Sequence, residues 1–343
     1  MAQQPHASLA DPRATVDRLI AIQRRMRDHL LDQLRAQGEA MAEVAHGHDS
    51  DGDTIYRIDE RGEEILFEEC EAWGRETPFL LVAEGIPGDG RRPFPAGARP
   101  DDAAFILIVD PIDGTREIMY DKRSAWSLAG IAPNLGADTD LSDIEVAVQT
   151  ELSTTRHLYS DTLWAIRGKG AVAERQNLVT REVRPYAPRP SRAGSIAHGF
   201  AAIVKFFPGS KVPAAQMEEN IFDAVLGDPV DGNPLAFDDQ YITTGGQLYE
   251  LMVGHYRFVA DLRPVYQGPS PRLLCCHPYD ICTELIAREL GCIVTDARGK
   301  PLKVKLDIRE PVSWVGYANC DIHAEVSPAL ARFMVGYLQP EES

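Results

Sequence analysis

The chain has 343 residues, 44% of them hydrophobic, which is enough to bury a large core and to build two packed subdomains. Its 52 acidic residues outnumber 35 basic ones, and the resulting net charge of -17 repels nucleic-acid backbones and anionic lipid, so neither is an expected partner. No stretch approaches the roughly 20 apolar residues of a membrane-spanning helix, and Met1 to Asp11 has neither a basic start nor an apolar run, so the expected location is the cytoplasm.

From Asp11 the spacing of Val16, Leu19, Ile20, Met26, Leu30 and Leu34 predicts an amphipathic helix, with Asp11 as N-cap and Pro12 in the first turn. A second helix is expected from Asp59 to Trp73, then a strand from Pro78 to Ala83 and a Pro/Gly-rich loop from Ile86 to Pro100. The continuous apolar run from Ala103 to Val109 reads as a buried strand. Further strands are expected at Ala125 to Ala132, Ile144 to Thr150 and Thr162 to Arg167. Arg184 to Pro190 reads as a connector, which divides the chain into an N-terminal subdomain, 1–183, and a C-terminal one, 184–343.

The second half opens with a poorly patterned stretch from Ser191 to Asp239. A helix around Leu248 to Gly254, a strand at Tyr256 to Leu262 and a helix from Ile281 to Leu290 stopped by Gly291 follow. A strand at Cys292 to Asp296, a turn at Gly299, a strand at Val312 to Ala318 and a last helix to Leu338 complete the pattern. Helices and strands mixed in both halves mean a layered α/β fold. The six cysteines form no C-x-x-C pair and have no histidines at zinc spacing, so they read as reduced thiols.

The chemistry concentrates at Asp110-Pro111-Ile112-Asp113-Gly114-Thr115, directly after the buried strand. Two carboxylates three residues apart on a tight turn can converge on hard cations. Pro111 fixes the turn, and Gly114 lets backbone N–H groups come close to an anion. Glu84 ends the strand before it, and Asp280 opens a helix after His277-Pro278-Tyr279. Each acid stands at the end of an element, where loops gather into sites. Asp228-Pro229-Val230-Asp231-Gly232-Asn233 echoes the motif without the buried strand in front or the threonine behind, and reads as a loop. Asp49, Asp51, Asp53 and Glu60 have calcium-loop spacing, but Thr54 stands where the sharp turn needs glycine.

Taken together these segments resemble the inositol monophosphatase superfamily, which includes the fructose bisphosphatases and phosphoadenosine phosphate phosphatases. The resemblance runs from about Asp53 to Asp321. Asp110 to Thr115 is similar to the first signature of that superfamily. Tyr279-Asp280, Glu289 to Asp296 and Gly299 to Leu302 are similar to the second, and Val315 to His323 to the closing strand and turn. The resemblance implies αβαβα layers, a magnesium-dependent phosphatase acting on a small phosphorylated metabolite, two or three Mg2+ ions per site, and a homodimer. It further implies that Glu84, Asp110, Asp113, Asp280 and the carbonyl of Ile112 bind the metal, with Glu84 also serving catalysis. The amides of Gly114 and Thr115 would hold phosphate, and Asp59 with Thr115 would orient the attacking water. Asp261 is the position offered for an acid that contacts substrate hydroxyls. Departures from the pattern are Gly85 where a second glutamate is usual and Tyr279 where tryptophan is usual. Arg116-Glu117 is closer to the phosphoadenosine phosphate branch.

Overall fold

The first helix, α1 (Pro12–Gln37), begins where Asp11 caps it, its Oδ1 accepting from the Ala14 amide at 3.0 Å. The chain is seen in a computed structural model that describes residues 9, 11–37, 44–48, 54–227, 233–267 and 274–338, and of 37, 44–48 and 54–61 the backbone alone. A short hairpin of β1 (Val44–His48) and β2 (Thr54–Tyr56) leads into α2 (Arg57–Glu76). Asp49, Asp51, Asp53 and the side chain of Glu60, the acids with calcium-loop spacing, lie outside the described residues, as does Asp228 to Gly232.

Eight strands form the large sheet: β3 (Phe79–Ala83), β4 (Arg91–Phe94), β5 (Phe105–Asp113), β6 (Ala125–Pro133), β7 (Val146–Leu152), β8 (Tyr159–Ile166), β9 (Ala171–Asn177) and β10 (Val183–Tyr186). Their order is β10-β9-β8-β7-β6-β5-β3-β4, antiparallel except for the parallel pair β3 and β5. A four-stranded sheet joins β11 (Phe200–Ile203), β12 (Tyr256–Asp261), β14 (Trp314–Tyr317) and β13 (Ile293–Asp296) in that order. The remaining helices are α3 (Thr115–Ile118), α4 (Lys211–Leu226), α5 (Thr244–Met252), α6 (Arg263–Gln267), α7 (Pro278–Ile281), α8 (Glu284–Glu289) and α9 (Cys320–Met334).

Period-two alternation sorts these elements into layers. On β5, Phe105, Leu107 and Val109 pack with Val16 and Leu19 of α1 and Leu66 and Trp73 of α2. Ile106 and Ile108 point the other way and share a core with Leu248 of α5, Ile281 of α7 and Leu285 of α8. That core also takes Val259 of β12 and Trp314 of β14, so the small sheet lies behind the same helices. The opposite face of the small sheet, Phe258, Ala260, Val315 and Tyr317, packs on Met217 of α4 and Ile322 and Val326 of α9. Helix, sheet, helix, sheet, helix is the αβαβα layering expected.

Several boundaries differ from expectation. β5 does not stop before the Asp110 motif but runs through it to Asp113, with a bulge against β6 between Asp110 and Asp113. The loop from Ile86 contains β4, and the connector from Arg184 contains part of β10, the exposed edge of the large sheet, which therefore crosses the division expected at 183. The stretch left without pattern, 191–239, contributes β11 and α4. The expected helix from Ile281 is two short helices, and Asp280 sits inside α7, one turn after its N-cap His277.

Candidate active site

Parallel pairing of β3 and β5 sets Ala83 opposite Val109, so the residues that follow, Glu84 and Asp110, emerge side by side at the same sheet end. The bulge after Asp110 adds one residue to β5 and brings Asp113 to that end too. Helix α7 supplies Asp280 from the other side, its Oδ2 held by the His277 amide at 2.6 Å. Carboxylate oxygens of Asp110, Asp113 and Asp280 all lie within 4.8 Å of one another. Glu84 lines the same cleft, together with Ile112, Gly114, Thr115 and Arg116.

These acids are held in place by the backbone. Asp113 Oδ2 accepts from the Gly245 amide at 2.6 Å, tying the start of α5 to β5 across the sheet. Asp110 Oδ1 accepts from the Ile112 amide at 3.0 Å, and the Ile112 carbonyl accepts from Thr115 Oγ1 at 3.1 Å. Gly114 adopts φ +104, and a Cβ there would lie 2.3 Å from Thr243 Cγ2, so both conformation and space require glycine.

Electrostatics mark the cluster as incomplete by itself. Asp110 is 4% exposed and Asp113 is 7% exposed. Burial, followed by the neighbouring carboxylates, raises both well above the ordinary carboxylate range. Burial also pushes Asp280 up to about 7, against the pull of the His277 amide. Acids so arranged are neutralised either by protons or by bound cations. Burial pushes the thiol of Cys275, also in the cleft, up to about 12.

Asp261, the acid offered for substrate hydroxyls, is buried and paired in this structure. It is 0% exposed, and both of its oxygens are taken by Arg263, with Nε to Oδ1 at 2.9 Å and Nη2 to Oδ2 at 2.5 Å. Arg263, two residues on, lines the cleft instead. Asp59 lies within the first turn of α2 rather than capping it, and its side chain is outside the described residues. Gly85 has φ +84, and the Glu63 carboxylate fills the space a side chain there would enter.

Sequence reasoning missed further residues that line the cleft: Phe206, Phe207, Ile242, Thr243, Leu274 and Cys275. One signal was present. Thr243 before Gly245-Gly246 is an N-cap pattern, and its Oγ1 accepts from the Gly246 amide at 2.7 Å, so α5 starts before the expected Leu248.

Fold and site together define a layered α/β protein with a triad of acids, two buried and one half-buried, where the end of β5 meets α7. No protein-family model and no curated protein matches the chain. Solved structures do match. Fructose-1,6-bisphosphatase of Leishmania major superposes with a TM-score of 0.66 at 13% identity, covering 96% of this chain and 99% of that one. The IMPase of Thermotoga maritima gives 0.60 at 16% identity, covering 95% and 100%. SaIMPase-II, solved with 2'-AMP bound, gives 0.60 at 14% identity, covering 94% and 96%. The chain has the fold of the inositol monophosphatases and fructose-1,6-bisphosphatases.

Proposed function

We propose that this chain is a magnesium-dependent phosphatase that hydrolyses a small phosphate monoester, of the inositol or sugar phosphate type, with metal-activated water as nucleophile. The observation that carries the reading is the triad Asp110, Asp113 and Asp280. Three acids from distant parts of the chain, kept within 4.8 Å and largely out of water, are costly unless a cation joins them. An all-oxygen donor set suits a hard divalent ion such as Mg2+. Glu84, the triad and the Ile112 carbonyl, which retains a second lone pair, would hold it. Bound magnesium supplies positive charge to the phosphate oxygens and lowers the pKa of water. The protein's part is to orient: Gly114 and Thr115 amides toward phosphate, and the Thr115 hydroxyl with Asp59 toward the attacking water. Asp261, in this scheme, positions Arg263 and does not touch the substrate.

The phosphorylated small molecule in SaIMPase-II supports this substrate class. Among the described residues no helix is long and apolar enough to cross a membrane.

Phosphate release from small esters is expected to require added magnesium and to stop with chelator. Full activity in metal-free buffer overturns the reading. Asp280→Asn keeps the size of the side chain but removes one charge from the cluster, and should lower turnover on the order of a hundredfold, about 3 kcal/mol of transition-state stabilisation. Asp228→Asn in the echo motif is the matched control, with turnover expected near that of the unaltered chain.

A further inference from the structure

One polar side chain stands in the middle of an apolar layer. Gln149 of β7 is fully buried, and its cross-strand partners are Leu128 of β6 and Leu163 of β8. Val146 and Val148 of the same strand pack toward α1 and α2, so Gln149 points, like Ala147, Leu128 and Leu163, toward the helices between the two sheets. A buried amide is costly unless both its ends are bonded. Here both are. Nε2 donates to the Gly245 carbonyl at 2.7 Å, and Oε1 accepts from Thr283 Oγ1 at 2.9 Å.

The two partners lead to two different acids of the cluster. Gly245, in the first turn of α5, donates its own amide to Asp113 Oδ2 at 2.6 Å. It has no room to shift: a Cβ there would lie 2.7 Å from Leu128 Cδ2 and 3.0 Å from Asp113 Oδ2. Thr283, also fully buried, stands three residues past Asp280 and directly before α8. A single path therefore runs from Asp113 through Gly245, Gln149 and Thr283 to the segment that carries Asp280. Neither Gln149 nor Thr283 lines the cleft, so each acts through the residue it holds.

We infer that Gln149 and Thr283 are positioning residues for the acid cluster, fixing Gly245 against Asp113 and holding the Asp280 segment at the spacing that lets Asp113 and Asp280 share a cation. This rests on the metal-dependent phosphatase reading above. Groups one step behind metal ligands set the ligands' orientation, and their loss typically weakens metal binding roughly ten- to a hundredfold.

The test is calorimetric titration of magnesium into the full chain, which needs no turnover, with thermal midpoints taken in chelator. Thr283→Val keeps the volume and removes the hydroxyl, and Gln149→Met keeps the length and removes both bonds. Each should raise the magnesium dissociation constant about tenfold. Thr283→Ser, which keeps a hydroxyl, should bind magnesium nearly as the unaltered chain does. The double variant should be no weaker than Gln149→Met alone, since the two residues act in one path. Thr150→Val is the control. Thr150 is the next residue of β7 and faces the other way, donating to Gln23 Oε1 at 2.7 Å. Its loss should lower the midpoint in chelator and leave magnesium affinity unchanged. Affinity unchanged in both Thr283→Val and Gln149→Met overturns the relay, and so does an equal loss of affinity in Thr150→Val, which would mean that the variants merely loosen the fold. If Gln149→Met does not fold, the comparison of Thr283→Val with Thr283→Ser decides. Absence of magnesium binding by the unaltered chain sinks the metal-dependent reading and the relay with it, whereas binding indifferent to both variants sinks the relay alone.

Discussion

A buried acid outside the cleft gives the protein a pH dependence that does not involve the metal site. Glu151 on β7 accepts from Ser124 Oγ at 2.7 Å and from the Asp161 amide at 3.2 Å, and His157 Nδ1 stands 3.8 Å away. Burial pushes its carboxyl from 4.5 up to about 7; the nearby Asp161 pushes the same way and Arg175 opposes. Between those values the folded protein keeps a proton that the unfolded chain has released. Stability from this group is therefore lost as pH rises from about 4.5 to about 7, and is level above that. Glu151→Gln should abolish this slope and raise the unfolding free energy near pH 8 by roughly 3 kcal/mol. Urea titrations of both proteins at acid and alkaline pH check it, and parallel pH profiles would refute it. At this scale the metal-type acids were legible because each ended an apolar run or opened a turn. The burial of Asp261 and its pairing with Arg263, two residues along, are properties of the packed protein and leave no mark on spacing. Phe206 and Phe207 were not legible as cleft residues, since they lie in a loop without periodicity.

At the scale of elements, legibility followed burial. β3, β5, β6 and β7 are buried almost throughout and read directly as apolar runs. β10, with Arg184 and Pro185, is the open edge of the sheet, and β9, with Glu174, Arg175, Gln176 and Asn177, is next to it and mostly half-buried. Their composition is that of a connector, and only the pairing of β9 to β8 and of β10 to β9 makes them strands. The segment before β11 is fastened in a way that pattern reading does not detect. Asn319 caps α9, its Oδ1 accepting from the Asp321 and Ile322 amides at 2.8 and 3.0 Å. Its Nδ2 also donates to the Ser191 and Ala193 carbonyls at 2.7 and 3.0 Å. Asn319→Ala should cost about 2 to 3 kcal/mol, about 1 from the cap and the rest from the two carbonyls. Asn319→Asp keeps the cap and loses the carbonyl contacts, so it should fall between. Denaturant unfolding of the pair decides; a loss below about 0.5 kcal/mol in both would mean that the clamp contributes nothing.

For the whole molecule, the site is also the joint. Asp110 and Asp113 belong to the large sheet, Asp280 to a helix between the sheets, and the Gly245 amide bridges to Asp113 across 132 positions of chain. The unfolded chain has no such cluster, so an ion held there binds the folded state alone and stabilises it by mass action. At a magnesium concentration a hundredfold above the dissociation constant the gain is about 2.7 kcal/mol, which should raise the thermal midpoint by several degrees. Chelator should reverse the rise. Asp280→Asn gives the decisive comparison. Without metal it removes one of several buried like charges while its side-chain oxygen can still accept from the His277 amide, so the metal-free midpoint should hold or increase. With magnesium most of the rise should disappear. Scanning calorimetry of the two proteins, each with magnesium and with chelator, measures all four midpoints. An equal magnesium response in Asp280→Asn would mean that the ion sits elsewhere and that the meeting of the two sheets is not its site.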